Sequence, residues 1–214
     1  MKTIIVSGCA GFIGAKVCEL LLKEGLKVVG FDNLEPYYDI RLKHHRLEAL
    51  KSFKNFSFLM LDITKRESLF EELSKFKADA IIHLAAAPGV RHSIQNPGYY
   101  LNVNTMGTLN LLELSVQFSI GKFVFASTSS VYAGESPPFL ESSKCDRTLS
   151  PYASSKRSSE LICYNFHHLH GLDISILRLF TVYGPSGRPD MGVFRFIKWA
   201  LEESPIRIFG SLEQ

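Results

Sequence analysis

Short apolar runs rich in β-branched and aromatic residues alternate along this chain with longer stretches in which apolar positions recur every three or four residues. The runs predict strands at residues 3–6, 27–31, 56–61, 80–84, 123–126 and 174–179. The stretches between them predict helices over 13–24, 41–53, 66–76, 103–117 and 151–170. Strands apolar at nearly every position, with helices between them, indicate a parallel sheet covered on both faces, so the expected class is α/β with a doubly wound sheet. The helix from Pro151 has the clearest limits. Ser150 is placed to cap it, proline fills its first position, and Gly171 is placed to close it in the left-handed conformation. After Leu179 the spacing changes: Tyr183-Gly184-Pro185-Ser186-Gly187-Arg188-Pro189 predicts a loop, followed by a helix over 193–202 and an apolar segment from Ile206 to Phe209.

Composition narrows the class of partner. With 214 residues and 46% hydrophobic content the chain can bury one sizeable core. The 24 basic and 21 acidic residues give a net charge of only +3, which supplies no electrostatic reason to expect nucleic acid or a membrane surface. The densest basic cluster, Lys43-His44-His45-Arg46, is short and is read as a solvated helix face. No apolar stretch approaches the ~20 residues of a membrane-spanning helix. Cys9, Cys18, Cys145 and Cys163 form neither a C-x-x-C pair nor a metal-ligand spacing, so reduced thiols, no metal and a cytoplasmic setting are expected.

Chemistry enters at the first turn. Gly8-Cys9-Ala10-Gly11-Phe12-Ile13-Gly14 stands between a buried-strand pattern and an amphipathic helix, the setting of a dinucleotide-binding (Rossmann) turn. Gly8 permits the tight turn, Gly11 lets backbone N–H groups approach a pyrophosphate at the helix N-terminus, and Gly14 lets helix and strand pack closely. Asp32, 18 residues after Gly14, would end the second strand and accept hydrogen bonds from the adenosine ribose. A carboxylate there repels a 2′-phosphate, so NAD is favoured over NADP. Tyr152 and Lys156, four apart, project from one helix face. A nearby ammonium can favour the phenolate and make the tyrosine a base, although such a pair also occurs on solvated helices. Ser127-Thr128-Ser129-Ser130 lies at the carboxyl end of the fifth strand, the edge where open α/β sheets place ligands.

These motifs together resemble the extended short-chain dehydrogenase/reductases, in particular the nucleotide-sugar epimerases and dehydratases. The resemblance is carried by the glycine turn, His83-Leu84-Ala85-Ala86, the hydroxyl cluster running into Val131-Tyr132, and Tyr152-x-x-x-Lys156. Three segments are further similar to those of UDP-glucuronate 4-epimerases: Phe31-Asp32-Asn33-Leu34 with Tyr37-Tyr38-Asp39, Gly89-Val90-Arg91-His92-Ser93, and the run from Phe180 to Met191. Carried over, the pattern implies that Tyr152 is the base, that Lys156 lowers its pKa and holds the nicotinamide ribose, and that Thr128 hydrogen-bonds the sugar 4-hydroxyl. It implies a cofactor groove that includes Phe12, Ile13, Asn33, Asp62, Ile63, Leu84, Ala85, Ala86, Asn104 and Ser127. His83 is taken as structural. Ser129, Ser130, Thr181, Arg188 and, more weakly, Arg91 are placed with the substrate, Arg188 as partner of a uronate carboxylate. Dehydratases of this group carry an acid pair directly after the threonine and decarboxylases a glutamate two positions after it; here those positions hold serines, so epimerisation of a 4-keto sugar is the implied outcome.

The resemblance also implies a nucleotide-sugar substrate, a homodimer formed through the helices near 103–117 and 151–170, and a further stretch beyond Gln214 that grips the nucleotide. The expected organisation is therefore an NAD-binding domain over 1–180 and an incomplete substrate lobe over 181–214. Two alternatives stay open: a UDP-glucose or UDP-N-acetylglucosamine 4-epimerase, and a non-catalytic NAD-binding module.

Overall fold

The computed structural model describes residues 1–206, so the expected apolar segment from Ile206 to Phe209 lies, beyond its first residue, outside the described residues. The strands are β1 (Thr3–Ser7), β2 (Lys27–Asp32), β3 (Phe56–Met60), β4 (Ala80–His83), β5 (Lys122–Thr128) and β6 (Asp173–Leu179). They form one sheet in the order β3-β2-β1-β4-β5-β6, every neighbouring pair parallel. This is the Rossmann order, and its reversal between β1 and β4 opens a crevice at the carboxyl edge.

The helices are α1 (Phe12–Lys23), α2 (Arg41–Lys51), α3 (Arg66–Leu73), α4 (Val90–Gln95), α5 (Pro97–Tyr100), α6 (Gly107–Gln117), α7 (Pro151–His170) and α8 (Gly192–Leu201). Side chains alternate across the strands, and this divides the core in two. Ile4, Val6 and Val28 face α1 and α2 through Cys18, Leu22, Leu47 and Leu50. Ile5, Val29, Phe31, Ile81, Phe123 and Phe125 face the other layer through Leu69, Leu73, Leu111, Leu112, Leu114 and Cys163.

Helix α7 has the expected limits, with Ser150 Oγ accepting from the Ala153 N–H at 3.1 Å and Gly171 at φ 67°. Between β4 and α6 the structure departs from expectation. Two short helices, α4 and α5, precede a π-helical turn over Leu101–Met106, where a helix had been expected only from residue 103.

The basic cluster requires a correction. His44 and His45 are exposed, but Lys43 and Arg46 are buried. Positions 43, 46, 47 and 50 share one helical face, so the two cations turn inward beside Leu47 and Leu50. Arg46 donates to the Ala10 carbonyl, the Tyr38 hydroxyl and the Ser186 carbonyl, joining the glycine turn to the loop after β6.

Candidate active site

At the carboxyl edge of the sheet, a cavity of about 500 Å³ runs from the glycine turn past the ends of β4 and β5 to the loop after β6. Gly8 sits at φ 73°, and a Cβ added to it would lie 2.7 Å from the Ala85 nitrogen. A Cβ on Gly14 would stand 2.0 Å from the Gly8 carbonyl oxygen. Any side chain at Gly14 would therefore push helix α1 off the turn. Gly11 is the N-cap of α1 and supplies no side-chain cap, so the first-turn N–H groups at the cavity wall are open to an anion. Asp32, at the end of β2, accepts from the Leu34 N–H at 2.8 Å and the Lys43 ammonium at 3.0 Å, both on Oδ1. Its other oxygen is the one placed to accept from a ribose. The side-chain-free turn, the uncapped helix and the carboxylate together fit a dinucleotide.

The groove wall after β4 is held by a chain of polar groups whose protons can be counted. Ser7 Oγ accepts from the N–H groups of Leu84 and Ala85, so its own proton goes to His83 Nδ1, 2.7 Å away. His83 Nε2 then donates to Thr108 Oγ1 at 3.0 Å, and Thr108 donates to the Asn104 carbonyl. Burial, aided by the charge of Lys156, holds the His83 pKa well below its usual value, in keeping with a neutral structural ring. The Asn104 carbonyl, where the π-helical turn meets α6, accepts a backbone N–H and in addition two hydroxyls, those of Thr108 and Ser159. The Asn104 amide bonds both the N–H and the carbonyl of Ala87. Asn104 thus braces the wall from behind and is not itself in the cavity lining. Asp62 likewise stands outside the lining, where it accepts from Thr64 and from Asn33 Nδ2.

Thr128, Ser129, Ser130, Tyr152 and Lys156 line the cavity together at the end of β5. Burial pushes the Tyr152 phenol up, against a hydrogen bond with Thr128 and the positive charge of Arg188, which pull it down. Lys156 is fully buried beneath it, donates to the Ala126 carbonyl at 2.7 Å and lies over the Phe125 ring. Burial lowers its pKa to about 8. One turn further along α7, Glu160 accepts from Ser127 Oγ, Arg157 and Arg178. Burial opposes its ionisation, but the bonds from Arg178, Ser127 and Arg157 win and hold the carboxyl below its ordinary range. Because Ser127 spends its proton on Glu160, its hydroxyl faces the groove as an acceptor. The pattern Tyr152, Lys156, Glu160 at steps of four could have revealed this support, since it places all three on one face.

Beyond β6, Thr181 and Arg188 join the same cavity. Arg188 lies over the Tyr37 ring and forms a two-bond pair with Asp190, from Nε at 3.0 Å and from Nη2. Burial works against its charge, but Asp190 more than offsets it and raises the pKa. Arg91, by contrast, is exposed on α4 and outside the cavity lining. Lining residues that the sequence reading did not single out for a role include Lys43, Tyr37, Tyr99 and Tyr100. The Tyr100 ring stands edge-on to Tyr152 with centroids 6.1 Å apart, and its hydroxyl donates to the Pro88 carbonyl.

This geometry coincides with a sequence match. Residues 4–214 match the model of the NAD dependent epimerase/dehydratase family. The chain belongs to that family. It is 56% identical over 210 residues to UDP-glucuronate 4-epimerase of Thermodesulfobacterium geofontis, covering 98% of this chain and 65% of that protein. Among solved structures, it superposes at a TM-score of 0.90 and 40% identity on UDP-glucuronic acid 4-epimerase from Bacillus cereus in complex with UDP-glucuronic acid and NAD, covering 97% of this chain and 66% of the other. A UDP-glucose 4-epimerase from Thermotoga maritima with UDP-glucose follows at 0.85 and 30%, again covering 97% and 66%. The chain thus spans about two thirds of the length of these family members.

Proposed function

We propose that this chain carries the cofactor groove and proton-transfer residues of an NAD-dependent nucleotide-sugar 4-epimerase, with UDP-glucuronate and UDP-galacturonate as its substrate pair. The observation that carries the reading is the meeting of Thr128, Tyr152 and Arg188 with the glycine turn in one cavity. When bound, oxidised NAD would supply the hydride acceptor at C4 and a positive ring beside Tyr152. Tyr152 takes the proton of the 4-hydroxyl, and Thr128 holds that hydroxyl in line. Lys156 and the acceptor Ser127 fix the groove floor. Ser129 and Ser130 bring neither the acid pair of the dehydratases nor the glutamate of the decarboxylases, so the lining favours turning of the 4-keto sugar and its reduction on the other face. Arg188 binds the uronate carboxylate, which discourages loss of carbon dioxide from a β-keto acid. Residues 1–180 form the cofactor domain in this reading and 181–214 begin a substrate lobe. The setting is cytoplasmic, in accord with four free thiols. A homodimer would pair through α6 and α7.

Incubation with NAD+ and UDP-glucuronate, followed by chromatography of the nucleotide sugars, is expected to yield UDP-galacturonate. Cofactor binding without product would favour the non-catalytic module instead. Arg188→Ala is expected to raise KM for UDP-glucuronate by about tenfold or more while sparing UDP-glucose. One observation favours a neutral hexose as the alternative substrate: Nε and Nη2 of Arg188 are already spent on Asp190. Faster turnover of UDP-glucose than of UDP-glucuronate would establish that alternative.

A further inference from the structure

Lys43 stands at the adenosine end of the groove, where the sequence motif places only Asp32. Its ammonium lies 3.0 Å from Asp32 Oδ1, with the two side chains 10% and 7% exposed. Both residues line the cavity. Asp32 Oδ1 is the one hydrogen-bond partner of that ammonium among the described residues, which leaves two N–H donors at the wall without a protein acceptor. The position is built into α2. Lys43 shares its face with Arg46, Leu47 and Leu50, and Arg46 is tied to the Ala10 and Ser186 carbonyls.

An acidic residue at the end of the second strand selects NAD by bonding the ribose hydroxyls and repelling a 2′-phosphate. That argument assumes a carboxylate whose charge is unopposed. Here an ammonium touches it, and a 2′-phosphate, carrying a charge of about −2, would meet both groups at once. Two other acids stand at this end. Glu35 lines the cavity, and Asp62 is occupied by Thr64 and Asn33.

We infer that Lys43 is a second determinant of cofactor choice: it cancels much of the repulsion from Asp32, so that a 2′-phosphorylated adenosine is tolerated at the ribose subsite. The inference rests on reading the groove as a dinucleotide site. Asp32 and Lys43 then set the preference jointly, the first for a free 2′-hydroxyl and the second for a phosphate.

The test is equilibrium calorimetry of NAD+, NADP+, AMP and adenosine 2′,5′-bisphosphate against the parent chain, Lys43→Met, Lys43→Arg, Asp32→Asn and the double variant D32N/K43M. Lys43→Met should weaken NADP+ and the bisphosphate by at least about tenfold more than it weakens NAD+ and AMP. Lys43→Arg should restore the parent pattern. Asp32→Asn should strengthen the two phosphorylated ligands by about tenfold, and the double variant should lose that gain. Lys43→Met leaves Asp32 buried without its partner. If that variant fails to fold, the comparison of Asp32→Asn with the double variant, which removes both charges, carries the test. Equal effects on phosphorylated and unphosphorylated ligands would overturn the inference, as would a gain in Asp32→Asn that survives loss of Lys43. Binding of none of the four ligands to the parent would instead overturn the groove reading, and the inference with it.

Discussion

Lys156 is kept where its charge is least welcome, buried with its ammonium on the Ala126 carbonyl and over the Phe125 ring, and with Glu160 and Cys163 only partly offsetting the loss of water. Its pKa falls from the ordinary 10.5 to about 8, so the folded chain holds the proton less tightly than the unfolded chain. Between those two values the unfolded state binds more protons, and raising the pH therefore stabilises the fold. Below pH 8 the full penalty applies, roughly 3 kcal/mol by linkage. Lys156→Met removes it. In urea unfolding the variant is expected to be more stable than the parent at pH 7, with the gap shrinking as the pH approaches 10; a gap independent of pH would show that this lysine titrates alike in both states. In the proposed function the site uses that charge, which gives a reason for its being kept at such a cost. The same tension could not be read from residues 152–156, because spacing places Lys156 on a face without saying how deeply that face is buried.

Among the elements, α7 was legible nearly to the residue because its ends are set by local chemistry: a serine cap, a proline and a left-handed glycine. Ser150→Ala should cost about 1 kcal/mol of stability, measured by urea titration, because it orphans the Ala153 N–H. The segment from 90 to 106 was not legible. Asn96-Pro97-Gly98 interrupts any helical pattern, and the π-helical turn that follows departs from the 3.6-residue period. At the end of that turn the Asn104 carbonyl gathers the Thr108 and Ser159 hydroxyls, so the segment hidden from the sequence helps to brace the groove. The inward turn of Lys43 and Arg46 was available in principle, since they fall in phase with Leu47 and Leu50. Their charge suggested solvent, whereas the fold supplied Asp32, Ala10 and Ser186 as partners.

Across the whole molecule, the strand order brings residues from Gly8 to Arg188 to one edge of one sheet. The motifs showed the order of the sites along the chain, but only the topology puts them in a single cavity. On the far side of the same layer, α7 exposes Leu161, Tyr164 and Leu169, while Leu101 and Met106 are exposed on the turn leading into α6. If these surfaces pair two copies, light scattering should report a dimer for the parent chain and a monomer for Tyr164→Asp; a parent monomer would dismiss the pairing. The turn that follows β5 separates two tasks. Its cap is the Thr128 side chain, which accepts from the Ser130 N–H; the Ser129 and Ser130 hydroxyls line the cavity, and the bond from Thr128 Oγ1 to Ser130 Oγ at 3.2 Å needs only an acceptor there. On the proposed function, a lineage could therefore exchange those two hydroxyls for acids, and with them one reaction outcome for another, while inheriting the sheet, the groove and Tyr152 unaltered.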